Sequence, residues 1–133
     1  MSQSKALPRK RPSVLVVSPN RYFRGLLVEI LSAHGYSGIW TAESLRSMFE
    51  CLGQMSVDFV IMDENIPILS SAEIYRMVRL SQSATKVPRA VLVVSRATRS
   101  LVDEVRRAGF DALITKPVVP ARLAKAMEQI IQA

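Results

Sequence analysis

Short apolar runs alternate with amphipathic stretches five times along the chain, and this alternation constrains the fold more than any other feature. The apolar runs are rich in β-branched residues and have the length of strands buried on both faces. In the stretches between them, apolar side chains recur at spacings of three and four, which is typical of one face of an α-helix. This alternation predicts βαβ units with right-handed crossovers, and therefore a mostly parallel sheet in a three-layer α/β fold. The predicted strands span residues 13–18, 37–41, 57–62, 90–95 and 111–115.

Five helices are predicted between and after these strands. The first spans about 20–34 and ends where Gly35 takes a left-handed conformation. The last helix is expected to turn Leu123, Met127, Ile130 and Ile131 inward. The other landmarks are Gly53 closing the second helix, Ser70 and Glu73 as a capping pair opening the third, Gly109 ending the fourth and Pro120 opening the fifth.

Composition narrows the class of protein. The 133 residues fit one domain, and 49% apolar with 22% charged residues is a composition that folds. No apolar run approaches the roughly 18–20 residues that span a bilayer, and no secretory signal is evident. One cysteine and one histidine exclude an internal disulfide and an ordinary structural zinc site. We expect a cytoplasmic protein with a reduced thiol.

Positive charge is concentrated in two parts of the chain. The 18 lysines and arginines exceed the 11 acids, which gives a net charge of +7. Residues 1–12 contain four bases, no acid and no helical or strand period, so a disordered basic arm is predicted before a domain at 13–133. The second concentration, at 76–107, is mostly arginine.

The simplest interpretation of these basic residues is a solvated surface. Two ligand-binding functions also remain open for them. Arginine suits bidentate recognition of phosphate, so a nucleotide or cyclic dinucleotide is one candidate ligand. The basic arm is a candidate contact to nucleic acid, although no reader motif accompanies it. The arginines considered for the nucleotide site are Arg21, Arg24, Arg96 and Arg99.

The fold class places a ligand site at one end of the predicted sheet. In open parallel sheets, ligands bind beyond the carboxyl ends of the strands. No acid–base pair, catalytic triad, phosphate-binding glycine loop or metal cluster accompanies this site, so we do not expect an enzyme. The residues at the strand ends are Ser18-Pro19-Asn20, Asp63-Glu64-Asn65, Ser95-Arg96 and Lys116-Pro117.

The segments VLVVS, DFVIMDENIP, AVLVVS and DALITKP, in this order and spacing, resemble the receiver domain of two-component response regulators of the single-domain chemotaxis type. The resemblance covers residues 13–132. It implies a flavodoxin-like (βα)5 sandwich with strand order 2-1-3-4-5, acting as a stand-alone module of phosphorelay signal transduction. Output is then expected from protein partners bound at the fourth helix, fifth strand and fifth helix, and a homodimer through a helical face is left open.

The resemblance also implies roles for individual residues. Asp63 matches the aspartate that accepts a phosphoryl group from a histidine kinase or phosphotransfer protein. The others are Lys116 and Ser95 as contacts to the phosphoryl oxygens, Leu113 at the position of a rotating aromatic switch, Pro117 after a cis peptide bond, and Asp63 with the backbone of Asn65 as magnesium ligands.

The sequence departs from the family where the metal is held. The first strand of the family ends in two adjacent acids, and those positions are Ser18 and Pro19 here. Mg²⁺ is usually held by carboxylates, phosphate oxygens and water, so Mg²⁺ is a possible but weakly bound cofactor. We expect an ion pair between Asp63 and Lys116, and we do not expect Glu64 to compensate for the missing acids. The hypothesis is a degenerate pocket, a pseudo-receiver, whose phosphorylation is weak or absent.

Overall fold

The computed structural model describes residues 11–65, 75–76 and 87–133. The third predicted helix, with Ser70 and Glu73, lies outside these residues, apart from Tyr75 and Arg76, which are helical. The strands are β1 (Val14–Val17), β2 (Ile39–Ala42), β3 (Phe59–Asp63), β4 (Arg89–Val94) and β5 (Ala112–Thr115). The helices are α1 (Arg21–Ala33), α2 (Leu45–Gln54), α3 (Arg99–Ala108) and α4 (Pro120–Gln132), where α3 and α4 are the fourth and fifth predicted helices.

All five strands are parallel and lie in the order β2-β1-β3-β4-β5, which confirms the predicted flavodoxin-like sheet. The central strands β1 and β3 are buried along their whole length, as their unbroken apolar runs predict. In the register of these two strands, Val17 lies opposite Met62. The residues that follow them, Ser18 and Asp63, therefore lie side by side at the carboxyl end of the sheet.

Helices cover both faces of the sheet and bury a hydrophobic core on each. On one face, α1 and α4 pack against alternate strand residues, with Leu27 and Met127 among the buried side chains. On the other face, α2 and α3 contribute Met48 and Val105. Among the described residues, none of the helices combines the length and the apolar character needed to cross a bilayer.

The helices begin and end at residues of the types that cap helices. The Asn20 side chain accepts a hydrogen bond from the Phe23 amide and starts α1. Gly35 and Gly109 follow α1 and α3 with φ of 90° and 101°, a left-handed conformation that favours glycine, and this confirms both predicted helix ends. Pro120 opens α4 as predicted.

Two local predictions are wrong. Gly53 does not close α2, because the helix continues to Gln54 without a left-handed residue at Gly53. Ile131 does not face inward and is 37% exposed. The buried stripe of α4 runs through Leu123, Met127 and Ile130, and Ile131 lies about 100° around the helix from Ile130, at the edge of that stripe.

Candidate functional site

The Asp63 carboxylate is buried at the carboxyl end of β3, with 1% of the residue exposed. Its Oδ2 accepts a hydrogen bond from the Ser18 hydroxyl at 2.7 Å. Its Oδ1 accepts from the Lys116 ammonium at 3.0 Å and from the Asn65 backbone amide at 3.1 Å. Both oxygens are thus engaged by donors of this chain, and the predicted ion pair between Asp63 and Lys116 is present.

Ser18 is the centre of a small network of its own. The residue is fully buried, and its hydroxyl donates to Asp63 while accepting a hydrogen bond from the Asn20 amide at 3.1 Å. Its carbonyl accepts from Arg24 Nη1 at 2.8 Å. The side chain that replaces an acid is therefore held in place from both sides, and the Pro19 that follows it has no side-chain donor or acceptor.

Lys116 supplies the positive charge of the site. Its ammonium lies 3.0 Å from Asp63 Oδ1 and 4.6 Å from the centroid of the Phe23 ring on α1. An aromatic face attracts a cation at this distance, so the ring stabilises the ammonium in its position beside the carboxylate. The side chain keeps 24% of its surface exposed, and the peptide bond to Pro117 is cis.

Glu64 takes a position that the sequence did not predict. Its Oε2 accepts a hydrogen bond of 2.6 Å from the Ser95 backbone amide, across the ends of β3 and β4. The side chain therefore engages the end of the neighbouring strand. Ser95 and Arg96 are both exposed.

The four arginines considered for a nucleotide site do not share one environment. Arg24 is committed to the Ser18 carbonyl and lies 3.9 Å from Glu43. The other three are exposed: Arg21 is the first residue of α1, Arg96 lies between β4 and α3, and Arg99 is the first residue of α3. Leu113, at the position of the aromatic switch, is half-buried and packs against the core on the α2 and α3 face.

Comparison with known proteins identifies the class. Residues 14–128 match the response regulator receiver domain, and the chain belongs to this family. The chemotaxis protein CheY-3 of Vibrio cholerae is 22% identical over 128 residues, which are 96% of this chain and 98% of that protein. The polar-differentiation response regulator DivK of Brucella ovis is 23% identical over 119 residues, 90% of this chain and 95% of its own.

Solved structures agree on the fold. The chemotaxis response regulator CheY4 of Vibrio cholerae superimposes with a TM-score of 0.81 at 23% identity, covering 91% of this chain and 99% of that one. A putative response regulator from Chloroflexus aurantiacus gives 0.82 at 20% identity, covering 93% and 100%. The chain is thus a response-regulator signalling module of the receiver type, a class that interacts with histidine kinases and other proteins.

The residues present do not fit the Mg²⁺ that the family resemblance implies. Mg²⁺ needs near-octahedral oxygen ligands, of which one or two are usually carboxylates. Asp63 is the one carboxylate at the ends of β1 and β3 that is turned into the site, and its oxygens already accept from Ser18, Lys116 and Asn65. Within the ranges described, no group of three or more histidine, cysteine or acidic side chains is arranged to hold a metal.

Proposed function

We propose that this receiver domain is a pseudo-receiver: a signalling module held in one state by its own side chains, which acts by binding protein partners and not by being phosphorylated at Asp63. The observation that carries the proposal is the buried hydrogen bond of 2.7 Å from the Ser18 hydroxyl to Asp63 Oδ2. This bond engages Oδ2, whereas Lys116 and Asn65 both donate to Oδ1.

The chemistry of phosphoryl transfer supports this reading. A carboxylate is a weak nucleophile, and its attack on a phosphoryl group depends on positioned cations that offset the negative charge of the equatorial oxygens. Among the described residues, Lys116 supplies the positive charge beside Asp63, and it already pairs with the carboxylate itself. An incoming phosphoryl group would have to displace the Ser18 hydroxyl from a carboxylate that is almost fully buried.

The same arrangement explains why the site is stable without a second acid or a metal. An isolated buried carboxylate is costly, whereas one that is paired and fully hydrogen-bonded is tolerated. Among the described residues, the Asp63 carboxylate accepts hydrogen bonds from one cation, Lys116, and from two neutral donors, Ser18 and Asn65. Two adjacent acids in place of Ser18 and Pro19 would change that balance by two negative charges.

The partner-binding face that we propose consists of α3, β5 and α4. β5 is an edge strand, and its residues Ala112, Leu113 and Ile114 are only partly buried. A cavity of about 120 Å³ lies between α3 and β5, with Val102 and Leu113 in its wall and Arg106 at its side. A recess lined by apolar side chains together with Arg106 and Asp111 suits a protein partner, because aromatic or aliphatic anchors and arginine carry much of the energy of protein interfaces.

The alternative functions receive less support from the described residues. A nucleotide site would need its arginines to converge, and Arg24 is turned away to the Ser18 carbonyl. Of the predicted basic arm at 1–12, residues 1–10 lie outside the described part. Nucleic-acid contact through the arm stays a prediction, and its test is an affinity that falls steeply with salt.

Intact-mass measurement after incubation with acetyl phosphate and Mg²⁺ tests the proposal. Three proteins are compared: the wild type, a double variant with Ser18→Asp and Pro19→Asp that restores the acid pair, and the same double variant with Asp63→Asn added. We expect no mass gain in the wild type, one phosphoryl group on the double variant, and none when Asp63 is also replaced.

A wild-type protein that gains one phosphoryl group at the rate of the double variant would contradict the proposal. The triple variant controls for phosphorylation at other residues, because its acid pair is intact and only the acceptor is missing. Circular dichroism and thermal unfolding of all three proteins verify that a negative result does not come from an unfolded chain.

A further inference from the structure

The Glu64 side chain makes a hydrogen bond that is not needed to balance the charge of Asp63. The backbone amide of Glu64 donates to the Val93 carbonyl at 3.0 Å, so the residue extends β3 alongside β4. From there the carboxylate reaches the end of β4 and accepts the hydrogen bond of 2.6 Å from the Ser95 amide. Hydrogen bonds to a charged acceptor are roughly twice as strong as neutral ones.

Ser95 begins the connection between β4 and α3, which spans residues 95–98 and is exposed throughout. The connection ends at Thr98, whose side chain accepts a hydrogen bond from the Leu101 amide and caps α3. Glu64 therefore anchors one end of a four-residue connection to β3, and the other end is the first turn of α3. A displacement of Ser95 would be transmitted to the helix over a short distance.

We propose that Glu64 is a built-in anion that holds the β4–α3 connection, and with it the start of α3, in one position. The inference rests on the proposed function and deepens it, because α3 belongs to the proposed partner-binding face. The family resemblance assigns the Ser95 hydroxyl to contact with a phosphoryl group, and here the backbone amide of the same residue already binds a carboxylate of this chain. Glu64 is thus a positioning residue that acts on α3 through Ser95.

Amide hydrogen exchange measured by NMR at residues 95–101 tests the inference without any phosphoryl donor. Glu64→Ala is expected to speed exchange of the Ser95 amide at least about tenfold, since that factor corresponds to ~1.4 kcal/mol, close to the lower end for a hydrogen bond to a charged group. Glu64→Gln, which keeps an acceptor oxygen but loses the charge, is expected to fall between Glu64→Ala and the wild type. Glu29→Ala, which removes an exposed carboxylate from α1, is the matched control and leaves the rate unchanged.

Three results would overturn the inference. An unchanged Ser95 rate in Glu64→Ala would show that the contact does not hold the connection. A wild-type rate in Glu64→Gln would show that the negative charge contributes nothing. An equal acceleration in Asp63→Asn would assign the position of Ser95 to the Asp63 network instead. The proposed function fails by a different readout, a gain of mass in the wild type, so the two failures are distinguishable.

Discussion

Replacing Ser18 by alanine measures how firmly the Asp63 carboxylate is held. The substitution removes the donor at 2.7 Å from Oδ2 and, at the same time, the acceptor of the Asn20 amide at 3.1 Å. A hydrogen bond to a charged group contributes about 1.5–3 kcal/mol, and Asp63 is too deeply buried for water to replace the donor freely. We therefore expect the free energy of unfolding to fall by about 2–3 kcal/mol, which for a chain of this length lowers Tm by roughly 6–12 °C.

Urea denaturation of the wild type and of Ser18→Ala gives this difference directly. The matched control is Ser13→Ala, because the Ser13 hydroxyl donates to Asp58 Oδ2 at 3.1 Å at the opposite end of the sheet, where both residues are only partly buried. The control is expected to cost about 1 kcal/mol. If Ser18→Ala costs no more than Ser13→Ala, the claim that the Ser18 hydroxyl closes the site is refuted.

Three further predictions concern the Lys116–Asp63 pair, two glycines and the Cys51 thiol. Lys116→Met removes the ammonium beside a buried carboxylate and is expected to lower the free energy of unfolding, measured by urea denaturation, by about 3 kcal/mol. Asp63→Asn is expected to lower it by less, because the Lys116 ammonium reaches solvent. Equal decreases in the two variants would contradict this asymmetry. Gly35→Ala is expected to destabilise the fold by about 1 kcal/mol or more because φ is 90°. Gly53→Ala, in the last turn of α2 with open space around it, is expected to stabilise the fold by about 0.5 kcal/mol. Shifts of the same sign in the denaturation curves of the two variants would refute this. Burial raises the pKa of the Cys51 thiol above its ordinary 9.0. The contribution of the protonated thiol to stability is therefore complete below pH 9 and is lost as the pH rises through the raised pKa. Alkylation of Cys51 by iodoacetamide, measured by mass, is expected to be slower in the native protein than in the unfolded chain, and equal rates would contradict this prediction.

Most of the fold was predictable because apolar strand patterns and amphipathic helix patterns alternate regularly along the sequence. The strands lie within two residues of the apolar runs that predicted them, and Gly35, Gly109 and Pro120 mark helix ends as expected. Periodicity does not resolve the edge of a buried stripe, which is why Ile131 was placed wrongly. A glycine near a helix end does not by itself end the helix, as Gly53 shows.

The candidate site was predictable in its residues and not in its hydrogen bonds. Its position came from the rule for parallel sheets, and the Asp63–Lys116 pair from the family resemblance. From the sequence, Ser18 indicates only the loss of an acid. The parallel pairing of β1 and β3 was the signal that its hydroxyl would meet Asp63, since Val17 and Met62 are register partners. The direction of the Glu64 side chain depends on rotamers that no sequence pattern specifies.

The most direct test is a titration with Mg²⁺ in which the NMR signals of the Asp63 and Asn65 backbone amides are followed. It tests whether the hydrogen bonds of Ser18 and Lys116 to Asp63 replace the metal that the family resemblance implies. The account predicts that these signals stay unchanged in the wild type at concentrations that saturate the Ser18→Asp, Pro19→Asp variant, because a single engaged carboxylate is a poor magnesium site. Saturable shifts in the wild type at the concentrations that shift the variant would contradict it.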